Sequence, residues 1–587
     1  MSAITSEPVF GDSVKPGLRR SRGWRSESGA TLVLGIFSLV FIIPMVGLTV
    51  DAAVLYVVRS QLQAAVDGAA LAAARALNLG ANANVQATSG KQNAVNWFYA
   101  NFPAGSWASS NTVLSTSNVT VADDPNNAYL RTVTIAATTS APTYFMRWFG
   151  VNSVTVAATG TASRRDVVIM MVLDRSGSMC KPGAAPCSGS SATPCGAMIT
   201  AAKQFAGQFA PGRDRIGLVS YSDGTYIHSA PTTDFQTVLG YTNSSGTGTG
   251  ELDTISCGGG TGTAEAMTLA YHLLYQTNLP GALNVLLLET DGLPNTLTLN
   301  FWDATNGVAG IASGSGCRDR NNATISGGGF RSLSALPSWA PGLNVTQSPF
   351  LSSHPFLSNI SDTNNLVGTV VSSDPDGADR FWNMLNYWTT FTPNVQSRGT
   401  ATYPYNSSTG SGTPSLMSST VAPGCSFAGT GGWYVSNPSD IAWWPATDAF
   451  GNALNPSGYT YQTVTLATQG HLSQNGWDNY HNGVMNATEN SAYRARSNAI
   501  LPATVCAIGL GGNSTSGPPD PVLLQRMAND PNADLFNYPP QYVSCSAATN
   551  CATFSSQPQG TFVYAPDSSM LGQAFQRIAS QMLRLSK

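Results

Sequence analysis

Five side chains between positions 174 and 291 are of the types that hold a hard cation: Asp174, Ser176, Ser178, Thr261 and Asp291. Together they offer two carboxylates and three hydroxyls. No imidazole or thiolate belongs to the set, although Cys180 and Cys257 lie nearby. Oxygen-only ligation suits hard divalent ions, and so few charges favour Mg²⁺ over a dedicated Ca²⁺ cage, with Mn²⁺ and Ca²⁺ as the alternatives. Taken alone, Asp-x-Ser-x-Ser also describes a turn whose Asp or Ser caps the free N–H groups of the next helix. Its setting argues for more than a turn.

The run Asp166–Leu173 (DVVIMMVL) is almost purely apolar and leads straight into Asp174. Such a run marks a strand buried on both faces of a parallel sheet. Ala282–Leu288 is a second strand of this kind and ends in Glu289-Thr290-Asp291-Gly292. Between them, Gly258-Gly-Gly-Thr261-Gly-Thr263 precedes the helical pattern Ala264–Gln276. In a doubly wound α/β fold, loops at the carboxyl ends of the strands converge on one crevice, so the three segments should meet there.

With these residues in these places the sequence resembles the von Willebrand factor A (vWA) domain, a Rossmann-like fold, and its metal-ion-dependent adhesion site (MIDAS). Arg215–Ser222 looks like its second strand, Ala503–Gly509 and Gly560–Ala565 like late strands, and Leu571–Leu585 like the closing amphipathic helix. The resemblance implies that both serines and Thr261 contact the metal directly, while the two aspartates act mainly through water. It also implies one coordination position left open for an acidic group on a partner. That is a binding mechanism and turns no substrate over.

Composition narrows the partners. The chain has 587 residues, of which 10% are charged, against about 25% in ordinary soluble proteins, and has room for roughly three to five domains. Lys+Arg 28 against Asp+Glu 31 leaves a net charge of -3, with no basic excess to neutralise nucleic acid. A hydrophobic content of 42% and an aromatic content of 9% exclude charge-driven disorder. No small-molecule substrate is evident. The nine cysteines contain no C-x-x-C pair, which argues against a zinc ribbon or a thioredoxin-type site. Cys180, Cys187, Cys195, Cys257, Cys317, Cys425, Cys545 and Cys551 fit disulfides of an oxidising compartment, with Cys187/Cys195 and Cys545/Cys551 as short-range pairs. Cys506, inside the apolar run Ala503–Leu510, is expected to be a free, buried thiol.

The exported location follows from the N-terminus. Residues 1–28 are polar and hold Lys15, Arg19, Arg20, Arg22 and Arg25. Gly29 to Val50, with Pro44 inside it, carries no charge, and a run of roughly 20 residues crosses a bilayer as a helix. A cleaved signal peptide would have an apolar region of about 7–15 residues ending in a small-residue site, so an uncleaved signal anchor is expected. The preceding arginines keep the N-terminus cytoplasmic. The chain would then cross the bacterial inner membrane once, with its bulk periplasmic or surface-exposed. Leu55, Val58, Leu62, Val66, Ala69 and Ala73 continue the helical spacing to near Leu77. One helix from about Ala30 to Leu77 would be on the order of 70 Å long. It could serve as a rigid stalk or pack beside similar helices.

This stretch resembles the TadG-type proteins of Flp (tight adherence) pilus assembly. The resemblance rests on Glu27-Ser-Gly-Ala30, the apolar span, Leu62-Gln-Ala-Ala-Val-Asp67 through Arg75, and Pro142-Thr-Tyr-Phe-Met-Arg147-Trp-Phe-Gly150. Prepilins processed by the dedicated peptidase carry Glu five residues after the cleavage glycine. Counted from Gly29 that place is Leu34, so permanent anchoring is expected over maturation.

The domain plan has a tail over 1–28, the anchor over 29–50 and its Ala-rich helical continuation over 51–79. A small β-rich module follows over 80–163, with alternating runs at Val119–Ala122, Tyr129–Ala137 and Ser153–Ala157. The vWA domain takes 164–292 and 488–587, interrupted by an irregular or β-rich insertion over 293–487. That insertion holds eight of the twelve tryptophans: Trp302, Trp339, Trp382, Trp388, Trp433, Trp443, Trp444 and Trp477. Flexible linkers avoid aromatics, so a folded lobe is expected. Asp374-Pro-Asp376-Gly-Ala-Asp379 lacks the full calcium-loop pattern and reads as a turn. The functional expectation is an anchored vWA protein of pilus assembly or adhesion that binds an acidic group on a pilus component or surface ligand. The alternatives are a minor-pilin-like scaffold in which the helix is primary and, behind that, a periplasmic hydrolase.

Overall fold

The computed structural model describes residues 28–183, 187–189, 193–222, 225–241, 248–300, 302–303, 307–308, 367–371, 380–383, 443–448, 450–457, 461–467, 471–473, 476–511, 518–531, 554 and 556–585. The Asp374–Asp379 turn, Trp339, Trp388, Trp433, Cys317, Cys425, Cys545 and Cys551 lie outside these residues.

Helix α1 (Ser28–Ala76) is a single helix of 49 residues with Pro44 inside it. Over Leu32–Val50 its apolar side chains are exposed on all sides, and this stretch is long and apolar enough to cross a membrane. Its second half behaves differently. Val58, Leu62, Val66, Ala69, Ala73 and Leu77 are buried at three- and four-residue steps. They pack against α2 (Ala83–Asn101) and an antiparallel sheet of β1 (Ser110–Val113), β2 (Val119–Asp123), β3 (Leu130–Pro142) and β4 (Ser153–Arg165). Burying each Val or Leu of that stripe contributes about 1.5–3 kcal/mol. The stripe that could have faced other helices therefore faces this chain's own helix α2 and sheet.

Two boundaries differ from the sequence reading. The module is not only β-structure, because α2 occupies its first twenty positions or so. The buried face of α2 is Gln86, Gly90, Ala94 and Phe98, too weakly apolar for periodicity to reveal. Asn82 caps it by accepting from the N–H groups of Asn84 and Val85, each at 3.1 Å. The strands β3 and β4 also run on to Pro142 and Arg165, pairing from Leu130↔Arg165 to Pro142↔Ser153.

Only Asp166 separates β4 from β5 (Val167–Asp174). With β5 begins a second, mixed sheet, which also takes in β7 (Arg215–Tyr221), β8 (Thr225–Thr232), β10 (Leu283–Thr290), β18 (Thr504–Leu510) and β19 (Phe562–Ala565). Among the described residues it has six strands, in the order β19-β18-β10-β5-β7-β8. All neighbours are parallel except the edge strand β8. Each residue of β5 is buried, as an apolar run between two helical layers requires.

One face is covered by α3 (Pro194–Ala206) and the closing helix α8 (Leu571–Leu585). The other is covered by α5 (Thr263–Thr277), α6 (Gly476–Arg496) and α7 (Pro521–Ala528). A short α4 (Phe235–Leu239) and a two-stranded ribbon, β6 (Cys187–Ser188) with β9 (Ser256–Cys257), complete this part. This is the expected doubly wound α/β domain.

The insertion yields ground at its end. Helix α6 begins at Gly476, so residues 476–487 belong to the helical layer, with Tyr480, Val484, Met485 and Ala487 buried. An Asn/Gly-rich composition is typical of irregular chain and hides this helical turn. Its asparagines are clamps on neighbouring backbone: Asn486 bonds Gln462 N–H (2.7 Å) and Leu454 C=O (2.9 Å), and Asn479 bonds Thr465 N–H (2.7 Å) and Ser473 C=O (2.6 Å). In the short pair β16 (Trp443–Trp444) and β17 (Leu472–Ser473), Trp444 is fully buried against Tyr480. Trp443 stacks on His471 with ring centroids 4.1 Å apart. Trp444 is therefore core, while Trp443 is half-buried. Just beyond Asp291, β11 (Thr296–Asn300) pairs with β14 (Val367–Val371), which pairs in turn with β15 (Arg380–Asn383), the strand holding Trp382. Trp302 lies in β12 (Trp302–Asp303), paired with β13 (Gly307–Val308).

Candidate metal centre

β5 and β10 lie side by side in register, Leu283↔Val167 through Glu289↔Leu173, so their carboxyl ends deliver Asp174 and Asp291 to one place. The loop after β5 turns back so that Ser176 Oγ and Ser178 Oγ are 2.9 Å apart. Ser178 donates to Asp291 Oδ1 at 2.6 Å, and Ser176 to the same oxygen at 3.3 Å. Asp174 is held from two sides, accepting from Ser176 N–H at 2.7 Å and from Thr290 Oγ1 at 2.7 Å.

Thr261 arrives on the third segment through backbone bonds. Gly258 N–H donates to Arg175 C=O (2.6 Å), Gly177 N–H to Gly259 C=O (2.9 Å) and Gly262 N–H to Ser222 C=O (2.8 Å). Gly259 has φ +93°, a conformation that a side chain would strain. The structure thus links Ser176, Ser178 and Asp291 by side-chain bonds, secures Asp174 beside them, and ties the Thr261 loop to the same turn.

Three residues of the site escape sequence reading. Asn295 accepts from Thr261 N–H at 2.7 Å and so positions that residue. Thr290 orients Asp174. Glu289 is fully buried and its two carboxylate oxygens have no hydrogen-bond partner. A charge breaking the apolar run Leu286-Leu-Leu-Glu289 is a visible signal for it.

The electrostatics test whether a cation fits. Burial, with the charge of Asp174 beside it, pushes the Asp291 carboxyl up from 3.8 to about 8. Burial also raises Asp174, and burial followed by the charges of Asp174 and Asp291 raises Glu289 well above the ordinary range. Asp291 Oδ2 is buried without a partner. Three crowded carboxylates, with Asp291 Oδ2 and both Glu289 oxygens lacking a hydrogen-bond partner, form an environment that a divalent cation compensates. The donor set fits a hard ion.

A pH dependence follows. A metal-free folded state keeps a proton on Asp291 between about pH 4 and 8 that the unfolded chain has released. This group's stabilising contribution is therefore complete below about pH 4 and is lost as pH rises through 8. Cation binding must expel that proton, so apparent Mg²⁺ affinity should climb by up to about tenfold per pH unit for each proton released, levelling above pH 8. Titration calorimetry at pH 6.5 and 8.5, in buffers of different ionisation enthalpy, reads both the affinity and the proton. Equal affinity and no proton release would refute the linkage.

Two disulfides flank the loops, Cys180–Cys187 and Cys195–Cys257. This corrects the expected Cys187/Cys195 pair: Cys187 lies across the β6–β9 ribbon from Cys257 but is bonded to Cys180, leaving Cys195, in the first turn of α3, for Cys257. Cys180 is thereby no free thiol, while Cys506 is free and buried. One catalytic-looking group also forms: His228 Nε2 lies 2.8 Å from Ser220 Oγ and its Nδ1 3.5 Å from Glu251. Ser220 is fully buried within β7, and burial followed by Arg175 holds the His228 pKa down. No substrate carbonyl reaches that hydroxyl without opening the sheet, so the trio reads as an internal bond network.

Residues 169–293 match the von Willebrand factor type A domain family, and residues 29–76 match the Flp pilus-assembly TadE/G-like family. The chain joins a TadE/G-like segment to a vWA domain. A search among curated proteins returns no match. Among solved structures, the three N-terminal domains of the type V pili tip protein Mfa5 from Porphyromonas gingivalis are 19% identical, with TM-score 0.19 over 33% of this chain; the match spans 30% of that chain. The vWF domain of the same protein is 16% identical, with TM-score 0.29, over 73% of this chain and 98% of that one. The PilB minor pilin from Streptococcus sanguinis is 10% identical, with TM-score 0.29, over 80% and 79%.

Proposed function

We propose that this protein is a membrane-anchored vWA module of a Flp/Tad pilus system that grips an acidic group on a protein partner through a divalent cation, Mg²⁺ by preference. The observation that carries the reading is the convergence of Asp174, Ser176, Ser178 and Asp291 at the ends of β5 and β10, with Asp291 Oδ2 left unpaired. Ser176, Ser178 and Thr261 would hold the ion through hydroxyl oxygens, and Asp174 and Asp291 would balance its charge. When bound, the cation supplies an open coordination position for a carboxylate. Thr290 and Asn295 keep Asp174 and Thr261 in place, so that little ordering remains to oppose partner binding.

The rest of the chain would carry that grip away from the membrane. β3 and β4 form a hairpin about 40 Å long, and β4 passes into β5 through Asp166 alone. Asn127 Nδ2 donates to Gly281 C=O (3.0 Å) and Gln86 Nε2 to Pro211 C=O (2.9 Å), bracing the module against the vWA domain. Force on a partner would thus pass to α1 without a hinge. The N-terminus would lie in the cytoplasm and the remainder in the periplasm or at the surface. No step here requires turnover, so the chain would act as a binder rather than an enzyme.

The test is capture of partners by the tagged full chain from intact cells, with and without chelator. An acidic pilus or surface protein should be lost with chelator and return on adding Mg²⁺. Capture that is indifferent to chelator would refute the metal bridge.

A further inference from the structure

The anchor and the folded body meet at one loop. Residues 142–150 join β3 to β4 at the end of the hairpin nearest the apolar span. Asp51 of α1 clamps their backbone, accepting from the N–H groups of Tyr144 (2.6 Å), Phe145 (3.1 Å to each oxygen) and Met146 (2.7 Å). That carboxylate is 2% exposed. One turn earlier, a Cβ at Gly47 would collide with the Phe145 ring, so the loop lies directly against helix backbone there. Gly47 is three residues inside the charge-free run ending at Val50, which places Phe145 about 5 Å below the end of that run.

Beyond the clamp, Tyr144, Trp148 and Phe149 are 50%, 84% and 69% exposed, and Arg147 is exposed between them. Scattered apolar groups on a surface are ordinary. These are contiguous with the span itself and sit at its exit.

We propose that the Tyr144–Phe149 loop is a second membrane contact, an aromatic wedge seated at the headgroup–acyl boundary of the phospholipid leaflet from which α1 emerges. Tyr and Trp concentrate at that depth because an apolar ring and a polar edge are satisfied together there. Arg147 is placed for a bidentate bond to a lipid phosphate. Two contacts fix what one helix cannot, the tilt and rotation of the anchor. Because the loop belongs to the hairpin that leads into β5, the same wedge would set how the metal site faces relative to the membrane. The proposal rests on α1 crossing the bilayer.

The test uses the full chain in vesicles of phosphatidylglycerol and phosphatidylcholine brominated at a shallow acyl position. With twelve tryptophans in the chain, Trp148 is isolated as the difference between wild type and Trp148→Phe. The emission of that component should be quenched by shallow bromine, and less by bromine near the chain ends, as a depth of about 5–10 Å at the headgroup–acyl boundary requires. Asp51→Ala, which frees the loop, should restore it. Flotation of the vesicles at alkaline pH reports separately on α1. A chain that floats with Trp148 unquenched overturns the wedge and leaves the transmembrane helix standing. A chain that does not float overturns both. Trp148 that escapes lipid quenching but cross-links to a second copy assigns the rings to a protein interface and overturns the wedge.

Discussion

Asp174→Ala is expected to abolish Mg²⁺ binding, lowering apparent affinity by at least about 100-fold, the upper end of what losing even an outer partner of a metal ligand costs. Asp174 organises the site twice over: it accepts from Ser176 N–H, which shapes the loop carrying both serines, and from Thr290 Oγ1, which fixes its own rotamer. Its negative charge is also part of what makes the crevice attractive to a cation. The fold should survive. Without metal the buried charge is unfavourable, as its raised pKa records. Removal therefore relieves a burial cost while leaving two donors to find water, a net change of about 1–3 kcal/mol. Calorimetry with Mg²⁺ and thermal unfolding of the same sample separate the two effects. Retained Mg²⁺ binding by a folded variant would sink the assignment. Ser178→Ala, at a partly exposed hydroxyl, offers a gentler second variant with the same expected direction.

Asp214→Ala should cost stability rather than binding. Asp214 is fully buried and takes three bonds at the joint between module and vWA domain: Arg164 Nη2 at 2.5 Å, Val167 N–H at 2.9 Å and Ala210 N–H at 2.7 Å. Arg164 has one other carboxylate within reach, Asp166 at 3.5 Å, and Arg213 already engages that group at 3.0 Å. Removing Asp214 strands a buried guanidinium and two backbone donors, and breaking a buried pair from one side costs about 3–5 kcal/mol. Asp214→Asn, which keeps an acceptor but loses the charge, should fall between. Denaturant unfolding of the detergent-solubilised chain measures both. A loss below about 1 kcal/mol for the alanine variant would show that the joint is not held by this pair.

Much of the site is legible in the sequence because its information is local. Asp174-x-Ser-x-Ser178 follows an apolar run, and Asp291 follows another; strands buried on both faces must be apolar, so the runs and what ends them are plain. Thr290 and Asn295 are not legible in the same way. Thr290 matters through a bond to Asp174 and Asn295 through a bond to Thr261, and neither pairing has a local signature. The insertion's asparagines mislead for a related reason. Asn is typical of linkers, yet Asn479 and Asn486 satisfy backbone groups that irregular chain would otherwise bury unpaired.

What the sequence alone determined is the set of elements whose periodicity is their cause: the charge-free span, its helical continuation, the buried strands and the closing helix, together with the two aspartates that end the buried strands. What only the tertiary structure decided is which surfaces those elements spend on one another. The second half of α1 turned its apolar stripe inward onto β3 and β4, Cys195 found Cys257 and left Cys187 to Cys180, and Asp51 clamped the loop around Phe145. Each joins residues whose partner depends on how the chain closes between them. Periodicity carries a residue's preference for burial, but not the identity of the neighbour that buries it.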